Sequence, residues 1–241
     1  MTTSAIRIAL VFPELLGTYG DGGNATVLAQ RLRWRAHLAD VVECPAGAPV
    51  PRTCDIYLLG GGEDAPQARA AVELAPDDVV PDVVGRGAVV LAVCGGYQIL
   101  GHSFAAGDGR DHPGLGVLDV RTTRRRRRRA VGELVADPTF AALPVLTGFE
   151  NHGGATALGP QARPLASVQR GFGNGTGDGT EGAVAGRVFG TYFHGPVLAR
   201  NPAFADHLLE LVTGPLPPIA DDDVDRLRTE RLGATTGGRR R

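Results

Sequence analysis

The first clear hydrophobic run is "IRIALVF" (Ile6 to Phe12), β-branched and apolar, and the period changes directly after it. In "NATVLAQRLRWRAHLAD", Leu28, Leu32, Ala36 and Ala39 fall on one helical face, so a strand is followed by a helix. The short apolar runs "VVEC" (Val41 to Cys44), "DIYLLGGG" (Asp55 to Gly62) and "AVVLAV" (Ala88 to Val93) read as further strands. Alanine- and leucine-rich "APQARAAVELA" reads as a helix between the last two. Strands apolar on both faces that alternate with helices predict an α/β fold, a mostly parallel central sheet with helices on both faces.

From Gly114 onward the pieces are shorter and separated by glycine: "GLGVLDV", "AVGELVAD", "VLTGFENH" and "GRVFGTYFHG". They predict an antiparallel edge in the second half, continuous with the first. "NPAFADHLLELVTG" has an asparagine N-cap, proline at the first helical position and a closing glycine, and so reads as a helix. "DDDVDRLRTERLG" reads as a last helix, acidic at the end where the helix dipole favours acids, and "ATTGGRRR" is expected to fray. On this reading residues 1–213 form one domain and residues 214–241 a C-terminal helix and flexible tail. A length of 241 residues is compatible with one large domain.

Composition narrows the function classes. Hydrophobic residues at 43%, charged residues at 21% and a net charge of −1 are those of an ordinary soluble globular protein, and they do not favour nucleic acid as a partner. Every basic residue is arginine, which reads as a coding bias. The N-terminus has no basic region leading into a long apolar stretch, so the expected location is the cytoplasm, with no transmembrane segment. The three cysteines, Cys44, Cys54 and Cys94, form no CxxC pair; they argue for thiols rather than a disulfide framework or a zinc site, and neither a metal nor a cofactor is expected. The run Arg124 to Arg129 reads either as a phosphate-binding patch or as a solvated loop. The segment "RGFGNGTGDGTEG" (Arg170 to Gly182) lacks phosphate-loop spacing and reads as a flexible hairpin tip.

In "GAVVLAVCGGYQILG", Cys94 stands where a buried strand turns into a helix. In an open parallel sheet, ligands bind beyond the carboxyl ends of the strands. A sharp strand-to-helix turn holds a nucleophile out of the sheet, and Gly95 and Gly96 relieve the crowding there. The helix start aims backbone N–H groups and a positive dipole end at the sulfur, which favours the thiolate. Cys44 and Cys54 lack this setting and read as structural. A cysteine nucleophile needs a base. Among the six histidines, His152 in "GFENHGG" and His194 in "GTYFHGP" end β-like runs before glycine, and His194 is delivered by the more rigid strand. The glycines Gly60, Gly61 and Gly62 end a neighbouring strand, where a backbone N–H can approach a substrate closely.

A strand ending in GGG, the "VCGGYQILG" elbow and a late "TYFHGP" together resemble the triad-type (class I) glutamine amidotransferases, in the cobyric-acid-synthase-like branch. That branch lacks the glutamate two residues after the histidine; here the position is Pro196. "FPELLGTYGDGGNATVL" and "GFENHGG" narrow the likeness to the glutamine amidotransferase subunits of lipid II isoglutaminyl synthases, the GatD type, from about Ile6 to Leu211. The resemblance implies hydrolysis of L-glutamine to glutamate and ammonia. It implies a Mur-ligase-like, ATP-dependent partner (MurT type) that forms D-isoglutamine in the lipid II stem peptide, for peptidoglycan synthesis, as a heterodimer. Carried over by residue, it makes Cys94 the nucleophile, His194 the general base and then acid, and Gly61 and Gly95 the backbone oxyanion donors. Gln98, Asn151 and His152 would line the glutamine pocket, and Arg129 would contact substrate.

With Pro196 in place of an acid, the carboxylate that holds the His194 tautomer is open: Asp21, Glu150 or an acid from the partner. The partner is the reading adopted at this point, since it would make activity depend on assembly. Two other functions stay open as well: an amidotransferase subunit for another acceptor, such as a cobyrinic acid, and a non-catalytic interaction module on the same fold.

Overall fold

The computed structural model describes residues 4–126 and 128–237; Arg127 of the arginine run, and residues 238–241 of the tail expected to fray, lie outside them. The first half alternates as the hydrophobic pattern predicts: β1 (Ile6–Val11), α1 (Gly23–Trp34), β2 (Ala39–Cys44), β3 (Ile56–Leu59), α2 (Asp64–Leu74), α3 (Val79–Gly85), β4 (Val89–Val93) and α4 (Gly95–Leu100). Helix α3 has no counterpart in the sequence reading. Its "VVPDVVG" is rich in β-branched residues, and burial of Val79, Val80 and Val83 against the core overrides that propensity.

The second half contributes β5 (Ser103–Ala105), β6 (Asp111–Pro113), β7 (Val120–Arg124), β8 (Ala130–Pro138), β9 (Leu146–His152), β10 (Gly154–Leu158), β11 (Ala166–Arg170), β12 (Thr180–Glu181), β13 (Ala183–Ala185) and β14 (Val188–Thr191). Three helices close the chain: α5 (Val197–Arg200), α6 (Pro202–Thr213) and α7 (Asp222–Gly237). The last helix runs on past Gly233, where the sequence pattern placed its end.

The central sheet has the order β13-β14-β4-β3-β1-β2. All its pairs are parallel except β13 with β14. Strand β14 therefore corrects the sequence reading, which grouped it with the antiparallel pieces. Its four residues are all buried, as a strand covered on both faces must be. The register pairs Val188 with Val90 and Thr191 with Val93, so β4 and β14 end level with one another. Cys94 and His194 thus follow neighbouring strands at the same carboxyl edge.

Two further four-stranded sheets, β10-β7-β5-β6 and β12-β11-β8-β9, pack around that edge. Strand β9 reaches the central sheet where the His194 N–H donates to the Phe149 carbonyl at 2.8 Å. The glycine-rich segment expected as a hairpin tip does join the antiparallel pair β11 and β12, with Thr176 to Gly179 exposed, but Gly173 and Asn174 are buried and anchor it. Glu150 accepts the N–H groups of Phe172 (2.7 Å) and Gly173 (3.0 Å), and buried Asn174 donates to Thr180 Oγ1 and the Gly182 carbonyl, each at 3.0 Å. A buried carboxylate and a buried amide do there what apolar side chains do elsewhere. At the C-terminal side, nearly buried Arg31 holds both oxygens of Asp206 at 2.6 Å and both of Asp221 at 2.9 Å, tying the approach to α7 onto α1 and α6.

Candidate active site

Cys94 joins β4 to α4 with φ 50° and ψ −103°, a left-handed conformation that a non-glycine residue holds at a cost of about 1–3 kcal/mol. This is the geometry of a nucleophile elbow. The turn depends on glycine behind it: a Cβ on Gly96 would lie 2.7 Å from the Leu59 carbonyl oxygen, so only a bare backbone lets α4 sit on the end of β3. Cys44 and Cys54 have no such setting. Burial pushes the Cys44 thiol up to about 11 and raises that of Cys54, which fits a packing role.

Around Gly61 three side chains converge. A Cβ built there would lie 2.9 Å from His194 Cε1, 3.2 Å from Asp21 Oδ2 and 3.3 Å from Cys94 Cβ. Asp21 Oδ2 stands 3.6 Å from His194 Nδ1, an ion-pair distance slightly beyond a hydrogen bond. The imidazole is fully buried, edge-on to Tyr19 at 4.5 Å between centroids and stacked with Phe149 at 5.4 Å. Burial alone would lower its pKa, but Asp21 and the Cys94 thiol more than offset that and raise it to about 9. A protonated imidazole beside a thiol is the arrangement that sustains a thiolate.

This placement decides between the candidate acids. Asp21, within this chain, occupies the position at His194 that the sequence reading assigned to a partner. Glu150 is elsewhere: its carboxylate holds the glycine-rich segment and lies 3.6 Å from His152 Nε2. The expected oxyanion donor Gly61 also needs correction. Its N–H is already given to Asp21 Oδ2 at 2.8 Å. The next glycine, Gly62, lines the cavity beside Cys94, and its nitrogen would lie 3.0 Å from a Cβ on Gly95. Among the described residues neither Gly62 nor Gly95 gives its N–H to a protein acceptor.

A cavity of about 260 Å³ opens at Cys94. The structure brings to its wall every remaining residue expected there: Gln98, Arg129, Asn151 and His152. Arg129 donates to Asn151 Oδ1 and to its carbonyl, both at 3.2 Å, and Asn151 Nδ2 donates to the Tyr19 hydroxyl at 2.9 Å. Gln98 accepts from Gln67 at 2.8 Å and donates to the Tyr192 hydroxyl at 3.0 Å. His152 stacks on Tyr192 at 3.7 Å; burial holds its pKa below the usual value, so it presents a neutral ring. Glu63 and Asp64 stand on the cavity wall with Arg124, Arg125 and Arg129. Acidic and basic groups on one small cavity suit a zwitterion such as a free amino acid.

Sequence reasoning missed Tyr19, Gln67, Tyr192 and Glu181. Tyr19 and Tyr192 stand within the quoted motifs, two residues before Asp21 and His194 respectively, and that adjacency was the available signal. Glu181 gave none. It is fully buried beneath β14, where Oε1 accepts the Thr191 hydroxyl and, at 3.0 Å, the Tyr192 N–H, while Oε2 has no hydrogen-bond partner among the described residues. Burial raises its pKa from 4.5 to about 7. A carboxyl whose pKa rises on folding stabilises the fold below its unfolded pKa, and that contribution is lost as pH rises through the folded value. Denaturant titrations should therefore show the stability of wild type relative to Glu181→Gln falling by on the order of 3 kcal/mol between pH 4.5 and 8, at about 1.4 kcal/mol per unit. A difference between the two proteins that is constant over this range would contradict the assignment.

The comparisons with known proteins agree with this geometry. Residues 7–202 match the family model of the CobB/CobQ-like glutamine amidotransferase domain. The lipid II isoglutaminyl synthase (glutamine-hydrolyzing) subunit GatD of Staphylococcus aureus is 36% identical over 199 residues, covering 82% of this chain and 80% of that one. The subunit of the same name from Streptococcus pneumoniae is 35% identical, covering 85% of this chain and 79% of that one. Cobyric acid synthase of Pelotomaculum thermopropionicum is 41% identical over 170 residues, but the match covers only 29% of its length. A solved glutamine amidotransferase superposes with a TM-score of 0.60 at 22% identity, over 85% of this chain and 98% of that one, which speaks for the fold. With the GatD subunits matched along most of both chains and the cobyric acid synthase over only part of its own, the chain belongs to the CobB/CobQ-like glutamine amidotransferases and, among them, to the GatD type.

Proposed function

We propose that this chain hydrolyses L-glutamine to L-glutamate and ammonia through a thioester on Cys94. The ammonia serves a separate ATP-dependent, Mur-ligase-like subunit (MurT type) that amidates the D-glutamate of lipid II to D-isoglutamine. The convergence of Cys94, His194 and Asp21 on one point beside Gly61 carries the chemical half of this reading. The names of the two GatD relatives carry the acceptor. The Cys94 thiolate attacks the side-chain amide carbon, and the oxyanion is met by the N–H groups of Gly62 and Gly95. His194, protonated, gives its proton to the leaving ammonia as the C–N bond breaks. The neutral imidazole then takes a proton from water, whose oxygen attacks the thioester, and the C–S bond breaks as glutamate leaves, which restores the Cys94 thiolate beside the protonated imidazole. Asp21 holds the tautomer and balances the imidazolium.

In the cavity, Arg129 meets the substrate α-carboxylate, and Glu63 and Asp64 lie where an ammonium belongs. Gln98, Asn151 and His152 shape the remainder. Residues 1–213 are the catalytic unit. Among the described residues no helix is long and apolar enough to cross a membrane. The heterodimer's place on this reading is the cytoplasm, where the ATP its partner uses is found.

The test is glutamate release by the purified chain with and without the ATP-dependent subunit. Because Asp21 lies in this chain, the isolated subunit should already release glutamate, and the partner should raise the rate. No release from the folded chain in either setting would overturn the reading and favour a non-catalytic module.

A further inference from the structure

A second concavity, of about 720 Å³, lies beside the catalytic cavity, between the β7–β10 pair and the glycine-rich segment after β11. Arg124, Arg125 and Arg126 form one wall, and Arg124 and Arg125 also line the catalytic cavity, so the two spaces share a partition of guanidinium groups. No aspartate or glutamate lines the groove. Among the described residues none of these three arginines, nor Arg128 or Arg129, makes an ion pair.

Arg125 is held in place rather than left waving in solvent. Its guanidinium carbon sits 4.1 Å over the Phe172 ring, and Nη1 donates to the Arg128 carbonyl at 3.1 Å. A Cβ on Gly175 would lie 3.3 Å from Arg125 Cδ, so glycine at this point of the opposite wall is what leaves room for its stem. That wall is rich in glycine, with Gly171, Gly175, Gly177 and Gly179 all at positive φ (107°, 74°, 88° and 78°). Clustered like charges repel, and a groove that gathers them on one wall and is lined by no acidic side chain offers a place for an anion.

We infer that this groove binds a phosphate-bearing polyanion of the pyrophosphate class. Guanidinium groups meet phosphate oxygens in two-pronged hydrogen bonds, and two linked phosphates bring several negative charges into a small volume facing three arginines. A recess between sheets admits a small anion more readily than the flat face of another protein. Two sources carry this chemistry, a nucleoside diphosphate and a lipid-linked pyrophosphate.

The experiment is calorimetric titration of the purified chain with inorganic pyrophosphate at low salt. Wild type should bind, and the double variant Arg124→Gln, Arg125→Gln should bind at least about tenfold more weakly. Phe172→Ala, which removes the ring under Arg125 and is itself not part of the catalytic cavity's lining, should weaken binding by a smaller factor. Arg52→Gln with Arg86→Gln, at a basic cavity elsewhere on the surface, should change nothing. Parallel titrations with a nucleoside diphosphate and with vesicles carrying a polyprenyl pyrophosphate then identify the source, by which of the two is lost in the double variant. Equal pyrophosphate binding by wild type and double variant would overturn the inference. So would no binding by wild type, most plainly if the double variant then lost association with the ATP-dependent subunit, which would assign the arginines to a protein contact. The readout is binding, so it stands or falls separately from glutamine hydrolysis.

Discussion

Replacing Cys94 with serine is expected to lower glutamate release by at least about 10³-fold while the fold stays intact. The exchange is nearly isosteric, so the strained elbow and the close seat of α4 on β3 survive. The chemistry is lost because a serine hydroxyl is a far weaker acid than a thiol and stays protonated beside His194, whose raised pKa itself depends in part on the Cys94 sulfur. A thiol can pass its proton to that histidine, but an alcohol cannot do so to any useful extent. Substrate binding should change far less than kcat, because Gln98, Arg129, Asn151 and His152 are untouched. Equal kcat in both proteins, measured as glutamate release under saturating glutamine, would contradict the role given to this sulfur.

The second large effect is expected from Asp21→Asn. The asparagine oxygen keeps the Gly61 N–H bond, so the strand end should hold its place. What changes is the group facing His194 Nδ1, from an acceptor with negative charge to a neutral amide. On the pattern of triad enzymes, kcat should fall by about 10²–10⁴-fold. The pH dependence separates this from a packing defect. Asp21 is among the groups that raise the histidine, so its removal brings the imidazole down from about 9 and moves the alkaline limb of the kcat profile to lower pH. The stability balance follows the same sign. The raised histidine stabilises wild type fully below about 6.5 and loses that contribution as pH rises through about 9, and the variant should lose it earlier. A variant slowed at all pH values, with its alkaline limb in place, would make Asp21 structural and return the third acid to the partner.

The first half of the sheet could be read from the chain because its strands are continuous apolar runs, each punctuated by a helix of different period. The second half was harder. Strand β14 and the true antiparallel pieces have the same length and glycine content, and only burial on both faces tells them apart. The placement of Cys94 and His194 at one edge of the sheet was legible because each stands at a strand end beside glycine. Asp21 lay in view as an alternative, and a sequence with no spatial register could not place it beside His194, whose chain position is far away. The Gly61 assignment failed for a related reason. Three consecutive glycines offer equivalent N–H groups until the fold shows that Asp21 has already taken the middle one. The anchoring of the glycine-rich hairpin was not legible, because Glu150 and Asn174 act through backbone bonds that leave no hydrophobic signature.

The most direct test of the account is covalent trapping with an electrophilic glutamine analogue, a diazoketone in place of the side-chain amide, followed by peptide mass spectrometry. The account predicts a single adduct on Cys94, protected by excess glutamine, much reduced in Asp21→Asn, and absent from Cys44 and Cys54. Labelling of either of those buried thiols ahead of Cys94, or no glutamine-protected adduct on the folded chain, would contradict it.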